Sequence, residues 1–412
     1  MVSNALGILI GIILAKSLGP IGKGAFSSVQ LVQSGVVSVT AGAGSAITYF
    51  LTNKKRSVGS FIGALASLLL SVSLVSWLLL GLWALKYGLT TVIYVVALAI
   101  PASVVLSWQN YYFVGIGEIK RLNIQSVFVT VSLFLAVLVL VVMLHLGIPG
   151  VFAAWLISLY LSAIVVIVHA IKTANGFKGF TFGPDFKQLI HFGSRTALNG
   201  IVGFLNLRID SIILIALLGV SQFGIYSVAT AAAEMMFLVS GAFGMAIARD
   251  IGTLTFELSA EMTAKAARSI TLVMVMIAIP LIVLTPWLIH TVYGDRFITG
   301  TPALRILVIG VILQASGGPL GSFFTYQMGR PIVLLYFLVA LIGVQSALCL
   351  ALIPRLGLTG AAIASTSTYI IGAIMRTAYF HRVTGLSATK LWIAHAGDLS
   401  TFKSAFEGLI RR

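Results

Sequence analysis

The sequence has few charged residues. Lys, Arg, Asp and Glu make up 9% of the 412 residues, whereas soluble domains carry about 25%. With 59% hydrophobic residues, such a chain cannot cover a water-facing surface with polar groups. This composition excludes a soluble enzyme, a disordered tail protein and a nucleic-acid-binding module. It indicates that lipid surrounds most of the chain.

Residues that bind metals or perform catalysis are also scarce. Cys349 is the one cysteine, so no disulfide can form within the chain. The six histidines and ten acidic residues form no cluster at metal-ligand spacing, and the sequence has no Walker loop or Gly-x-Ser-x-Gly motif. The polar breaks are too short to hold a catalytic domain. We therefore expect a protein that is not an enzyme and that binds no metal or cofactor.

Long hydrophobic runs dominate the sequence. They alternate with short polar breaks and predict an all-α polytopic membrane protein with about 12 transmembrane helices of roughly 20 residues each. The first run is short and lacks a basic start, which favours a truncated helix over a signal peptide. In the tail, Leu391, Trp392, Phe402 and Phe406 recur at helical spacing among basic residues. This pattern predicts an amphipathic helix on the membrane surface.

The basic residues predict the orientation of the chain. The formal net charge is +16, from 26 basic and 10 acidic residues. Most of the basic residues fall in the breaks after even-numbered spans and in the tail. We include Arg376 among the basic residues of the tail. Because cytoplasmic loops carry an excess of Lys and Arg, we expect these breaks and both termini to be cytoplasmic. The positive charge therefore sets the topology and predicts no nucleic-acid partner.

Two segments of the chain repeat later in the sequence. The segment ILAKSLGPIGKGAFSSVQ from Ile13 matches ILIALLGVSQFGIYSVAT from Ile213 at an offset of 200 residues, and Phe26 aligns with Tyr226. A second match, at an offset of 210 residues, aligns LGIPG from residue 146 with LGLTG from residue 356. The two matches lie at both ends of a six-span unit, which makes a chance resemblance a poor explanation.

The repeat predicts the domain organisation. A six-helix bundle over residues 1–172 precedes a cytoplasmic linker over 173–188, a second six-helix bundle over 189–384 and a cytoplasmic amphipathic tail over 385–412. Because six is even, both bundles enter the membrane from the same side and form a parallel repeat. Paired repeats of this kind hold a substrate between the halves near the membrane midplane, so the organisation predicts a transporter.

Three charged residues lie inside the predicted spans: Arg208, Asp210 and Glu234. A charge at the centre of a transmembrane helix costs about 2.5–3.5 kcal/mol and usually faces a cavity or a partner. Arg208 lies 12 residues before the predicted turn at Val220, and Glu234 lies 14 residues after it. Both are thus about 18–21 Å from the turn and can pair. Asp210 lies about 200° round the helix from Arg208 and faces another side.

Two interpretations of these charges stay open. In one, Arg208 faces a central cavity and binds an anionic group of the substrate, while Asp210 or Glu234 balances its charge or carries a coupling ion. In the other, Arg208 and Glu234 form a fixed ion pair that holds the hairpin together.

Uncharged polar residues are weaker candidates for substrate binding. Gln30 and Gln33 lie in the second span, and Asn199 and Asn206 lie in the seventh, seven residues apart and thus on one face. All four can line a cavity, and all four can instead form hydrogen bonds between helices.

Several segments resemble one known family. LAKSLGPIGKGAFSSVQ from Leu14 resembles the first hairpin of prokaryotic polysaccharide flippases. LRIDSIILIALLGVSQFGIYSVATAAAE from Leu207, YGDRFITGTPALRILVIG from Tyr293 and LGLTGAAIAS from Leu356 resemble later parts of the same proteins. Their order and spacing agree with the family, and together they cover much of the chain. The sequence is thus similar to the Wzx-type oligosaccharide flippases of the multidrug/oligosaccharidyl-lipid/polysaccharide exporter superfamily.

The resemblance implies a V-shaped alternating-access transporter with a cationic central cavity. Its substrate would be a polyprenyl-diphosphate-linked oligosaccharide, which it would flip from the cytoplasmic to the outer leaflet of a prokaryotic cytoplasmic membrane for surface polysaccharide biosynthesis. Arg208 and Asp210 match the family's Arg-x-Asp on the seventh helix, and Glu234 lies where the eighth often has an acid. The implied partners are membrane lipids and the polysaccharide polymerase with its chain-length machinery. We expect a monomer.

Other functions predict different features. A multidrug-type cation antiporter of the same superfamily would have acidic residues dominating its cavity. A membrane glycosyltransferase or polysaccharide polymerase would need a large external loop, whereas the odd-numbered breaks here are short. An inactive scaffold of a polysaccharide assembly complex is a third alternative. Many relatives also have fourteen helices, and lipid II flippases draw basic residues from an N-terminal half that here lacks a deep arginine.

Overall fold

A computed structural model describes residues 2–54, 57–87, 91–177 and 179–392. The first half of the chain contains five helices, and π-helical residues Leu138–Met143 extend the fourth. These helices are α1 (Val2–Thr52), α2 (Val58–Tyr87), α3 (Thr91–Gly115), α4 (Ile119–Val137) and α5 (Gly147–Thr173).

The second half contains the remaining helices, with π-helical residues after α8 and α10 and a 3₁₀ segment before α9. They are α6 (Pro184–Glu234), α7 (Met236–Thr253), α8 (Phe256–Leu288), α9 (Thr301–Ser316), α10 (Gly318–Ser322), α11 (Ile332–Thr384) and α12 (Thr389–Trp392). Within the described residues, nine helical segments are long and apolar enough to cross a membrane. This architecture confirms the predicted all-α polytopic membrane fold.

Three of the long helices each contain a sharp turn. α1, α6 and α11 have 51, 51 and 53 residues, so each would be about 77–80 Å long if straight, more than twice the roughly 30 Å of the hydrocarbon core. Each is interrupted at one glycine with non-helical backbone angles: Gly19, Gly219 and Gly357. Divided at these glycines, the nine helical segments of the described chain become the twelve predicted crossings.

The turns also support the internal repeat. Gly19 has φ 64° and Gly219 has φ 79°, while Gly147 and Gly357 have φ 60° and 59°. All four follow a leucine, and they are the glycines that the offsets of 200 and 210 residues align. A positive φ is readily adopted by glycine alone. The two halves therefore share their turn geometry as well as their sequence.

The chain forms two compact units, Met1–Leu205 and Asn206–Arg412, called unit 1 and unit 2 below. The boundary lies inside α6, whereas the sequence predicted it in the linker over 173–188. The reason is that the first part of α6 packs on α1: the Thr196 hydroxyl donates to the Gly42 carbonyl at 3.2 Å. A side chain at Gly200 would strike the Ser38 carbonyl, so the two backbones lie in close contact.

Each unit has its own core. In unit 1, α3 packs along α1, where the indole of Trp108 donates to the Thr40 carbonyl at 3.0 Å. In unit 2, the rings of Phe323 and Phe380 pack edge to face at 5.1 Å. Apolar side chains such as Leu78 and Trp287 remain exposed along the helices, as lipid-facing residues of a membrane protein do.

Two predictions concern the end of the chain. Arg376 was counted with the cytoplasmic tail, and that placement is wrong, because Arg376 is buried inside α11. The predicted amphipathic tail begins at Gly385, and its residues 393–412 lie outside the described part of the structure. Of the described portion, Leu391 is buried in unit 2 and the Trp392 indole donates to Thr377 at 3.3 Å.

Candidate functional site

An ion pair lies inside the membrane-spanning part of unit 2. The guanidinium of Arg208 donates two hydrogen bonds to the carboxylate of Glu234, Nη1 to Oε1 at 2.7 Å and Nη2 to Oε2 at 3.0 Å. The two-pronged geometry is the strong form of this contact. It confirms the prediction that the two residues are at one depth and can pair, because the turn at Gly219 folds the second part of α6 back along the first.

The pair is open to its surroundings. The side chain of Arg208 is 34% exposed and that of Glu234 is 30% exposed. A pair that served structure alone would be best shielded, because water and competing ions weaken an exposed contact. About a third of each side chain is thus left uncovered by the described protein.

Asp210 faces a different part of unit 2, as the helical spacing predicted. Its carboxylate is buried and accepts three hydrogen bonds: from the Ser211 backbone at 2.6 Å, the Tyr226 hydroxyl at 2.7 Å and the Ser365 hydroxyl at 2.8 Å. The amide of Gln345 donates to Ser365 at 3.2 Å. All of these donors are neutral, so the carboxylate is held in place by hydrogen bonds and not by an ion pair with Arg208.

The repeat places apolar residues at the matching positions of unit 1. Offsets of 200 and 210 residues align Asp210 with Ile10, Tyr226 with Phe26 and Ser365 with Trp155. Phe26 and Trp155 also contact each other, edge to face at 5.9 Å. The two halves therefore bring equivalent positions together, but only unit 2 has polar chemistry there.

The weaker candidates are divided between the two units. Gln30 and Gln33 are half-buried on α1 in unit 1, where the hydroxyl of Ser34 approaches Gln33 at 3.5 Å. Asn199 is exposed and Asn206 is buried, although their spacing predicts a shared face. The difference arises because α6 passes from unit 1 to unit 2 between them. Among the seven candidates, the described contacts join Arg208 to Glu234.

Sequence reasoning missed Arg376 as a charged residue inside a span. Its guanidinium donates to the Gln314 side chain at 2.8 Å, and its Nε atom has no partner in the described part of the chain. It lies beside Gly317, where α9 ends, and unpaired carbonyls at a helix C-terminus attract cations. The signal was available, since Arg376 lies eight residues before the end of α11, about 12 Å along the helix.

The described residues contain no group of three His, Cys, Asp or Glu side chains that could hold a metal ion. The charges available for chemistry in the site are therefore one guanidinium and two carboxylates. They can bind an anion, a cation or a proton, depending on which partner Arg208 and Glu234 take.

Several solved structures have a similar fold. A multidrug resistance MATE family transporter of the MOP superfamily, in its inward-facing conformation, matches with a TM-score of 0.65 and 15% identity over 93% of this chain and 94% of its own. The lipid II flippase MurJ, in an inward closed conformation, matches with a TM-score of 0.70 and 12% identity over 94% and 87%. This chain has the fold of the MOP-superfamily transporters.

A third MOP-superfamily structure bears on the polarity of the site. A transporter from Pyrococcus furiosus, described by the reverse polarity of its binding pocket, matches with a TM-score of 0.55 and 14% identity over 93% of each chain. No family model and no curated protein matches the sequence. At these identities the similarity establishes the MOP fold, and the substrate has to be argued from the residues of the site.

Proposed function

We propose that this protein flips a polyprenyl-diphosphate-linked oligosaccharide from the cytoplasmic to the outer leaflet of the membrane. The observation that carries the proposal is the Arg208–Glu234 pair, which is two-pronged, partly exposed and placed inside the membrane-spanning part of a MOP-type fold. A diphosphate must leave water to pass through the membrane, and a guanidinium replaces part of its lost hydration with charge-assisted hydrogen bonds.

The arginine fork fits both of its proposed partners. Carboxylate and phosphate oxygens match the same planar set of N–H donors, so a diphosphate can take the place of Glu234 on Arg208. In the substrate-free state Glu234 keeps the arginine neutralised, which avoids an isolated charge inside the membrane. When the substrate binds Arg208, Glu234 is released and needs a proton or a cation as its new partner.

This exchange gives the two carboxylates roles in coupling. Glu234 takes up a coupling ion when Arg208 turns to the substrate. Asp210, held by Tyr226 and Ser365, is a second site for a proton or cation. Asn206, Asn199, Gln30 and Gln33 are the candidates for contacts with sugar hydroxyls, because amides both donate and accept hydrogen bonds.

The test is the leaflet distribution of the lipid-linked oligosaccharide. In a strain that lacks this gene but keeps the pathway's glycosyltransferases, we expect the intermediate to accumulate on the cytoplasmic side. The wild-type gene should restore outward passage, whereas Arg208→Ala should not, and Arg208→Lys should restore it poorly because an ammonium lacks the fork. Arg355→Ala, at an exposed arginine of α11, is the matched control with wild-type activity. Normal outward passage in the deletion strain, with no second flippase present, would refute the proposal.

A cation antiporter is the second candidate. The site contains two carboxylates and one guanidinium, and a MATE multidrug transporter shares the fold. This function predicts that cells carrying Arg208→Ala still export organic cations, while Glu234→Gln and Asp210→Asn abolish export. The flippase predicts no change in resistance to organic cations for any of the three variants.

A further inference from the structure

Unit 1 contains an apolar groove that the proposed transport site does not use. It has a volume of about 430 Å³ and is lined by α2, α3, α5 and the residues that follow α5. Its walls are almost entirely apolar, with Leu65, Leu69, Val105, Trp108 and Val166 among them. We call this cavity the lateral groove.

The groove runs along the helices for a large part of the membrane. On α2 it extends from Ile62 to Trp77, which is 15 residues or about 22 Å. One leaflet of hydrocarbon is roughly 15 Å thick, half of the usual core. The groove therefore passes from one end of the bundle through a whole leaflet, parallel to the direction in which lipid chains lie.

The groove is open to the outside along this length. Leu70 and Trp77 on its rim are 39% and 43% exposed. Phe177 and Phe180, at the end of the groove near the start of α2, are 44% and 57% exposed. These two rings pack edge to face at 5.6 Å. The segment that carries them is fixed to the start of α2, because the backbone N–H of Thr181 donates to the Gly63 carbonyl at 3.3 Å.

One polar group in the groove has unused hydrogen-bonding capacity. Gln109 is 8% exposed and lines the groove, and its Oε1 atom has no partner in the described part of the chain. An unpartnered buried amide is costly unless something binds to it. Gln109 lies six residues, about 9 Å, before the end of α3. The unpartnered atom is an acceptor, so only a group with a donor, such as a hydroxyl, can pair with it.

Basic residues gather at the same end of the groove. The ring of Tyr112 lines the groove, and its hydroxyl lies 3.2 Å from Nδ1 of His169. The other ring nitrogen of His169 contacts Arg121 and lies 3.3 Å from the carboxylate of Glu118. Glu118 also pairs with Arg121 at 3.1 Å. Lys172, next in sequence to groove residue Ile171, is exposed.

The charges at this end favour an anion. Arg121, Lys120 and Lys172 supply three positive charges against the one carboxylate of Glu118. The Arg121 side chain is 56% exposed, so its guanidinium can contact a headgroup while it still touches Glu118. Basic pockets at helix ends are a known form of recognition for anionic lipid headgroups.

We propose that the lateral groove binds an anionic membrane phospholipid. One acyl chain fills the groove, and the phosphate lies at its basic end near Arg121 and Lys172. This site is independent of the proposed flippase function, because it uses no residue of the Arg208–Glu234 site. An apolar groove and a basic end lie in the order in which a phospholipid presents its chain and its phosphate.

The test is lipid binding to the purified full-length protein in detergent, followed by native mass spectrometry. The probes are phosphatidylglycerol, which is anionic, and phosphatidylcholine, which is zwitterionic. We expect phosphatidylglycerol to bind more tightly, and the double variant Arg121→Ala/Lys172→Ala to weaken it by about 30-fold while phosphatidylcholine changes little. Arg355→Ala is the matched control for loss of an exposed arginine.

A second set of variants tests the groove itself. Ala66→Phe and Ser73→Phe place a ring where the chain would lie, and each should weaken both lipids. Leu78→Phe, on the same helix but outside the groove, is the control. Two substitutions are used so that a variant with an altered gel-filtration profile can be set aside.

Four results would overturn the proposal. Equal affinity for the two phospholipids would show that the basic end does not recognise an anionic headgroup. Unchanged binding in both groove-filling variants would remove the role of the groove. Displacement by inorganic phosphate alone would indicate a headgroup site without a chain. Tighter binding of a polyprenyl phosphate than of phosphatidylglycerol would assign the groove to the transported substrate.

Discussion

The Arg208–Glu234 pair allows stability and transport to be separated by a double-mutant cycle. The four proteins are the wild type, Arg208→Ala, Glu234→Ala and the double variant. Removing one partner leaves the other as an unpaired charge in the membrane-spanning part of unit 2, whereas removing both leaves no charge. The structure therefore predicts that each single variant is less stable than the double variant.

The size of the effect follows from the geometry of the pair. Two unit charges about 4 Å apart at an effective dielectric of 20 attract by about 4 kcal/mol. About a third of each side chain is exposed, which places the pair between surface pairs, at about 0.2–1 kcal/mol, and one-sided removal from buried pairs, at about 3–5 kcal/mol. We expect a loss of about 1–3 kcal/mol in each single variant. Because the double variant should be more stable than either single variant, the coupling energy should be larger than the greater of the two single losses.

The assay is unfolding of the purified proteins in mixed micelles titrated with SDS, together with leaflet-resolved transport of the lipid-linked oligosaccharide. We expect the double variant to regain stability but not transport, since no guanidinium remains to bind the diphosphate. If the double variant regains both, the pair is a structural tie and the substrate binds elsewhere. A coupling energy near zero would show that the two-pronged contact in the structure does not form in the membrane.

Three further predictions use other parts of the fold. Asp210→Asn should lower the free energy of unfolding by about 1–3 kcal/mol in the same SDS titration. An amide oxygen in place of Oδ2 can still accept from Tyr226 and Ser365, but its NH₂ group then faces the Ser211 N–H that donates to Oδ1; an unchanged midpoint would contradict the hydrogen-bond network. Gly219→Ala should lower the free energy of unfolding by about 1–3 kcal/mol, because alanine is strained at φ 79°. Gly203→Ala in the same helix has open space around it and should leave the stability unchanged. Equal effects of the two substitutions would argue against the turn. Reporter tags fused to the two termini should both give cytoplasmic signals, and an external C-terminus would be incompatible with twelve crossings.

The crossings and the turns were predictable because they depend on local sequence. Hydrophobic runs predict helices that lipid can surround, and the Leu-Gly pairs at positions 18, 146, 218 and 356 mark places where only glycine fits the backbone. The Arg208–Glu234 contact was predictable for a related reason. Two residues on adjacent arms of one hairpin, at equal distance from its turn, have to lie at the same depth.

The rest depends on contacts between distant parts of the chain. Ser365 reaches Asp210 across 155 residues of sequence, and no periodicity within either helix indicates that contact. The unit boundary at Leu205 depends on the close approach of α6 to α1, which small residues permit but do not require. Arg376 was misplaced because a basic residue near the end of a span was assigned to the loop by its charge. Its burial depends on Gln314 and the end of α9, which sequence proximity does not reveal.

The repeat shows that the buried carboxylate of unit 2 has an apolar counterpart in unit 1. Both halves need a Leu-Gly turn and a packed contact between the helices that follow it, and both have them. In unit 1 the contact is made by Phe26 and Trp155, which supply packing area and no charge. In unit 2, Tyr226 and Ser365 occupy the equivalent positions, and both hydroxyls donate hydrogen bonds to Asp210. A buried carboxylate is retained there at a cost in stability that the apolar version in unit 1 avoids. That cost is accounted for if Asp210 and the neighbouring Arg208–Glu234 pair change their charge state or partner during transport. An apolar unit 1 would then provide packing and lipid contact while unit 2 performs the ion-dependent steps.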